Sequence, residues 1–339
     1  MVSNMKLSRP SATIVRIVIG GALLSSCTGN GNPQHKADTS AGPGRFVTLI
    51  GTGPDGGPDS DPGWLEDPVD IVPDINGGLL ALTGQFSRVF LIRPNGSKQQ
   101  LSSLAPAGGT LSMAKQADGS LLIAKQSGTG KLMIRRFESG KSPSDIASVP
   151  AAKNPRSVHL VTTGQGDVLL LKDGSFFHQT KSGQYSPLSR FDGIDPKATI
   201  LAATADGPSL LLALPNKLVW IKDNHAERQV PMAWPLHPQD GASVVPDGAG
   251  GAYVSGRSPY VAHISAKGRR GVILLGIGNT PEACGDGRIS GPTGDTQERY
   301  LGEATALSVT RNELYVADSI CHRILAIGLP AREHTGPGR

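Results

Sequence analysis

Aromatic residues are scarce in this chain, with 7 Phe, 5 Tyr and 3 Trp among 339 residues. No basic run is interleaved with them, so neither a base-stacking platform nor a nucleic-acid face is expected. Long apolar runs are also missing. The one near the start, Ile17 to Leu24, is far short of the ~20 residues that cross a hydrocarbon core, and no later stretch approaches that length. Helical 3.6-residue patterning is absent after the first residues, which removes helical bundles and helical solenoids from consideration. There is no Gly-x-Ser-x-Gly, no His-Glu-x-x-His and no Cys-x-x-Cys, so no motif marks a nucleophile elbow, a zinc protease helix or a redox pair. The 8 histidines are scattered, and a zinc site would have to be assembled from distant segments.

What is present begins with an address. Lys6, Arg9 and Arg16 lead to the apolar run, and Ser25, Ser26 and Cys27 follow it, the order of charged region, apolar region and small-residue cleavage site in a secretion signal. Leu24-Ser25-Ser26-Cys27 resembles a bacterial lipobox, which implies cleavage before Cys27 and diacylglycerol on its thiol; secretion with a chance cysteine is the plainer alternative. The chain is then expected on the outer face of a membrane, held by lipid alone. Of the 3 cysteines, Cys284 and Cys321 remain as an even pair in an oxidising compartment, and a disulfide between them is expected, the alternative being two small buried thiols. The first 26 residues hold three Lys or Arg and no acid, leaving 30 basic against 28 acidic residues, close to neutral. Residues 27–45 are polar and rich in Gly, Pro, Ser and Thr, a flexible tether. Residues 331–339 form a polar tail.

Between them the chain repeats. An apolar run, a turn, a second apolar run, a turn and a third run recur, and the residue before the second run falls at Gly77, Gly119, Gly166, Pro208, Gly250 and Asn312. The spacings are 42, 47, 42, 42 and 62 residues, six units with an insertion before the last. Units of this length built from short strands make a β-propeller. The last unit has three strands and Phe46–Ile50 is a strand without a unit, so pairing the two is expected to close a six-bladed ring over residues 46–330.

The stretch from Leu314 to Ile327, with Asp318 and Arg323 flanking a turn, resembles the core of an NHL repeat. Leu49-Ile50-Gly51-Thr52-Gly53, Asp67-Pro68-Val69-Asp70-Ile71-Val72 and Leu274-Leu275-Gly276-Ile277-Gly278 resemble that family's blade openings. The resemblance implies a six-bladed propeller with a binding role, and Asp318 with Arg323 reads as a structural turn pair. The middle units depart from it, carrying Thr83, Lys125, Lys172, Leu214 and Gly256 where the last has Asp318.

Seven residues before each aligned turn lie Asp70, Ser112, His159, Leu201, Ser243 and Thr305, positions that share one level of the channel. The polar members, Asp70, Ser112, His159, Ser243 and Thr305, are the candidate ligand contacts at the channel mouth; solvation of these side chains is the simpler alternative, and a Ser112 nucleophile served by His159 and Asp70 is a remote one. Asp55, Asp59 and Asp61 in the first Gly-rich loop, with Glu66 and Asp67 beyond, are candidate oxygen ligands for a cation; a solvated acidic loop is the alternative. Gly51-Thr52-Gly53-Pro54-Asp55-Gly56 mimics a dinucleotide fingerprint but is followed by Gly57-Pro58 and acids rather than a helix. The sequence therefore points to a non-enzymatic binding, sensor or scaffold module with no resident cofactor, probing a protein or cell-envelope ligand as a monomer. A lyase or hydrolase using calcium or zinc in the channel, with His159 and Asp70 among its ligands, is the alternative.

Overall fold

The chain forms two compact units, 1–37 and 38–339. The computed structural model describes residues 41, 43–51, 65–74, 76–84, 87–103, 109–138, 141–180, 184–188, 191–232, 236, 241–256, 260–275, 284, 290–292, 301–310 and 312–330, all in the second. The signal, Cys27, Asp55, Asp59, Asp61 and the tail lie outside the described residues.

The described strands make an all-β, six-bladed propeller. Strand β1 (Arg45–Ile50) comes first. Blade 1 is β2 (Pro68–Pro73), β3 (Leu79–Thr83), β4 (Arg88–Ile92) and β5 (Lys98–Ser103). Blade 2 is β6 (Thr110–Lys115), β7 (Leu121–Gln126), β8 (Lys131–Phe137) and β9 (Ser144–Pro150). Blade 3 is β10 (His159–Thr162), β11 (Val168–Lys172), β12 (Ser175–Gln179) and β13 (Tyr185–Pro187). Blade 4 is β14 (Ala202–Asp206), β15 (Ser209–Leu214), β16 (Lys217–Lys222) and β17 (His225–Pro231). Blade 5 is β18 (Ala242–Pro246), β19 (Ala252–Gly256), β20 (Tyr260–Ile264) and β21 (Arg270–Leu275). Blade 6 adds β22 (Ser290–Pro292), β23 (Ala304–Val309), β24 (Glu313–Asp318) and β25 (Arg323–Gly328), in the order β22-β1-β25-β24-β23.

The expected closure is present: β1 pairs antiparallel with β25, Phe46 opposite Ile327 and Val47 opposite Ala326. β22 then covers the outer edge of β1, Phe46 opposite Gly291, a fifth strand that the repeat did not announce. The chain docks slightly ahead of β1, because Gly44 N–H donates to the Gly328 carbonyl at 3.1 Å and Ala41 N–H to Glu313 Oε1 at 3.2 Å.

Each blade's second strand is apolar because both its faces are covered. β3 and β19 are buried at every position and β7 and β24 at all but one end. Outer strands β9 (SDIASVP) and β17 (HAERQVP) mix charges with a terminal Pro, a composition that discourages pairing at an exposed edge. The core is divided among the seams between blades. Ile71 and Phe90 of blade 1 pack with Ala306, Ala317 and Ile324 of blade 6, so the seam that closes the ring is as apolar as the others. Gly51 leaves β1 at φ +105°, and a Cβ there would come within 2.3 Å of the His322 carbonyl oxygen, so only glycine lets the chain pass beside the last blade's turn.

Candidate functional site: the channel mouth

The residues at the channel level lace neighbouring blades together. Asp70 Oδ2 accepts from the Ser112 hydroxyl at 2.9 Å and from Met113 N–H at 2.6 Å, while Oδ1 accepts from Ile71 N–H at 2.9 Å. Ser112 Oγ accepts in turn from Leu160 N–H at 3.0 Å, Ser243 Oγ from Leu307 N–H at 3.0 Å, and the Thr305 hydroxyl donates to the Pro68 carbonyl at 2.7 Å. His159 hydrogen-bonds the Leu201 backbone, and burial, only partly opposed by that bond, drives its imidazole down to about 4. Asp70, Ser112, Ser243 and Thr305 thus each reach the inner strand of the next blade, while Leu201 belongs to the apolar seam between blades 4 and 5. Such bonds contribute about 1 kcal/mol each. Ser112 is engaged by Asp70 and Leu160 rather than by His159, which is not the arrangement of a nucleophilic triad.

At one end this level opens into a cavity of ≈ 500 Å³ whose lining includes Asp70, His159, Ser243 and Thr305, but not Ser112. Above them sit Asp67, which the sequence offered only as part of an acidic loop, and Arg156, Glu303 and His322, which it did not single out. Arg156 belongs to a 3₁₀ turn, Pro155–Ser157, whose start is capped by the Asn154 side chain accepting from Arg156 N–H at 3.1 Å. Arg156 Nη1 meets Glu303 Oε1 at 2.6 Å. One residue precedes blade 3 and the other precedes blade 6, on opposite sides of the ring, so the pair spans the mouth. With 47% of the Arg156 side chain exposed, it adds at most about 1 kcal/mol; its effect is on the shape of the opening. Burial raises the Asp67 carboxyl above its usual range, and Arg156 opposes that rise. His322, at φ +49°, accepts Asp67 N–H on Nδ1 at 3.0 Å, and burial lowers its pKa. Burial likewise outweighs three hydrogen bonds at Asp70 and pushes it up to about 6.

A buried hub holds the Glu303 side of the mouth. Asp318 and Arg323 are fully buried and paired, Arg323 Nη2 to Asp318 Oδ2 at 3.1 Å. Asp318 Oδ1 also accepts from Gly302 N–H at 3.1 Å and Glu303 N–H at 3.0 Å, and Arg323 Nη1 donates to the Cys284 carbonyl at 3.3 Å. The expected turn pair is therefore also an anchor for the segment entering blade 6. Cys284 and Cys321 form the expected disulfide, with both residues buried. A Cβ on Gly302 would lie 2.9 Å from both Asp318 Oδ1 and Cys321 Sγ, which is why a glycine stands at this junction.

Glu66, beside the mouth residue Asp67, is 3% exposed, and neither carboxylate oxygen has a hydrogen-bond partner among the described residues. Burial, with Asp67 adding and Arg88 opposing, raises it from 4.5 to about 7. A carboxyl raised on folding favours the folded state fully below its unfolded pKa, and that contribution is lost as pH rises through the folded value. The loss between pH 4.5 and about 7 is about 3 kcal/mol at ~1.4 kcal/mol per pKa unit. Glu66→Gln is expected to raise thermal stability clearly at pH 8 and little at pH 4.5; an equal gain at both, followed by circular dichroism, would show that this carboxyl does not titrate on folding.

A second cavity of ≈ 500 Å³ lies outside the ring's centre, at blade 3 and the segment leading to blade 4. Its floor is apolar, with Phe176 and Phe191 edge to face at 5.5 Å, and it gathers no comparable set of buried titratable groups. Convergent polar groups within a cavity mark a binding site better than volume does, and they are at the mouth. Among the described residues, no three His, Cys, Asp or Glu side chains cluster so as to hold a metal ion.

No protein-family model matches the chain, and no curated protein matches it. Solved structures do resemble it. An auxiliary nutrient binding protein from Bacteroides ovatus superposes with a TM-score of 0.59 at 13% identity, covering 83% of this chain and 76% of that one. A PQQ-bound aldose sugar dehydrogenase from Streptomyces coelicolor gives 0.54 at 13% identity, over 84% and 99%. A catalytically inactive virginiamycin B lyase from Staphylococcus aureus, solved with quinupristin, gives 0.51 at 10% identity, over 80% and 83%. At these identities the likeness is one of fold, and the fold hosts both binders and enzymes.

Proposed function

We propose that this chain is a non-enzymatic binding module, an NHL-like propeller carried on a lipid-anchored tether outside the bacterial membrane, which captures a protein or cell-envelope ligand at the channel mouth. The observation that carries the reading is the convergence of Asp67, Arg156, His159, Glu303 and His322 from three blades on one cavity. Leu101 is the one exposed large apolar side chain among the described residues, so these residues form no broad apolar docking surface. The nutrient-binding neighbour agrees with a binding role. The lyase or hydrolase alternative lacks a clustered ligand set among the described residues and is not favoured. The address rests on Leu24-Ser25-Ser26-Cys27; a Cys27→Ser chain that still fractionates with membranes would count against it.

The binding reading is tested with fractionated cell-envelope peptides, glycans and proteins, scored by the rise in melting temperature of the full chain. Ile320 lines the mouth and belongs to none of the apolar seams, so Ile320→Arg should fill the opening without disturbing the core. A fraction that stabilises the parent chain is expected to have little effect on Ile320→Arg. Equal stabilisation of both chains would place the ligand elsewhere.

A further inference from the structure

We propose that the mouth cavity takes a primary ammonium carried on an aliphatic stem, a proposal that rests on the binding reading above and names the chemistry of its ligand. The described lining holds the carboxylates of Asp67, Asp70 and Glu303 against one guanidinium, Arg156, and Arg156 is already engaged by Glu303. The two imidazoles add no charge near neutral pH, since burial lowers both His159 and His322. The described lining therefore has an excess of negative charge in a partly desolvated setting, which favours a cation.

An ammonium has three N–H donors, and the described lining holds acceptors that are not fully committed. No hydrogen bond from a described residue reaches the Asp67 carboxylate, whose residue is bonded through its backbone alone, N–H to His322 and carbonyl to Gly84. Asp70 accepts three hydrogen bonds of the about four that a carboxylate can take. His159 lines the cavity, and its buried Nε2 has no partner among the described residues, an unsatisfied ring nitrogen that a ligand group can meet. A divalent metal requires its ligands at about 2.0–2.6 Å, and the described acids and histidines do not cluster that closely. An ammonium tolerates wider spacing, with N···O distances of about 2.8 Å along each N–H. Val69, Leu111 and Val158 supply apolar wall for the methylenes behind it, the division between apolar stem and charged head that a lysine-like group carries.

Two sources share this chemistry, a free alkylamine and a lysine side chain of a larger partner. The test uses calorimetric titration of the full chain with cadaverine, with the peptide acetyl-Gly-Lys-Gly-amide, and with 1,5-pentanediol as the uncharged analogue. At least one amine is expected to bind, the diol at least about tenfold more weakly, and affinity should fall as acidification protonates Asp67. Asp67→Asn, which removes charge from a side chain with no described hydrogen bond, should weaken amine binding at least about tenfold without lowering the melting temperature below the parent's. Binding of the peptide alone assigns the site to a lysine of a partner; binding of cadaverine assigns it to small amines as well. No binding of either amine, or binding indifferent to Asp67→Asn, overturns the proposal. If amines fail while an envelope fraction still distinguishes Ile320→Arg from the parent, the ammonium assignment falls and the mouth remains the binding site; if both fail, the binding reading falls with it.

Discussion

Asp318→Ala is expected to destabilise the chain by about 3–5 kcal/mol, the loss typical when one partner of a buried ion pair is removed. Both side chains are fully buried, so the change removes the carboxylate that faces the Arg323 guanidinium inside the protein. It also frees Gly302 and Glu303 N–H from their acceptor, and Glu303 is the residue that reaches Arg156 across the mouth. A drop in urea midpoint should therefore be accompanied by weakened ligand binding. The control is the double change Asp318→Leu with Arg323→Met, in which no charge is stranded; replacement of a buried pair by apolar residues is often neutral, so most of the stability should return. If the double variant were as unstable as Asp318→Ala, the pair's value would lie in its backbone contacts rather than in charge compensation.

Removing the disulfide should have an effect of similar size. Cys284 and Cys321 are 37 residues apart, and closing such a loop in the unfolded chain corresponds to about 3.8 kcal/mol on a chain-entropy account. Cys284→Ala with Cys321→Ala is expected to lower the unfolding free energy by about 2–4 kcal/mol, and dithiothreitol should lower the melting temperature of the parent but not of the variant. Because Arg323 also holds the Cys284 carbonyl, the disulfide and the ion pair secure the same segment. Their losses should combine to less than the sum of the two; full additivity would separate them.

The fold was readable because its signals are local. Turn glycines such as Gly77 at φ +83° and Gly119 at φ +84° stand two residues before β3 and β7, and the second strands are apolar through their middles because each is enclosed on both faces. The missing strand of blade 6 was readable from the same count. β22 was not: Ser290-Gly291-Pro292 is three residues long with Gly and Pro, a composition that argues against a strand when seen alone. The channel residues were readable as positions but not as roles. Whether Ser112 or Ser243 faces a ligand or a neighbouring N–H depends on the offset between adjacent blades, which no local pattern reports. Arg156 and Glu303 meet across 147 residues of chain, beyond any motif. A usable signal did exist, since Asp67 and Arg156 each stand three residues before their channel residue and Glu303 two before Thr305. That rim position carries the charge of the mouth.

The central claim is that ligand enters at this mouth and not at the outer cleft. Isoleucine, leucine and valine methyl spectra of the full chain, recorded with the envelope fraction that raises its melting temperature, test it most directly. The account predicts that the methyls of Val69, Leu111, Val158 and Ile320, which line the mouth, shift first and furthest. Shifts confined to Leu188, Ile194 and Ile200 in the outer cleft would contradict it.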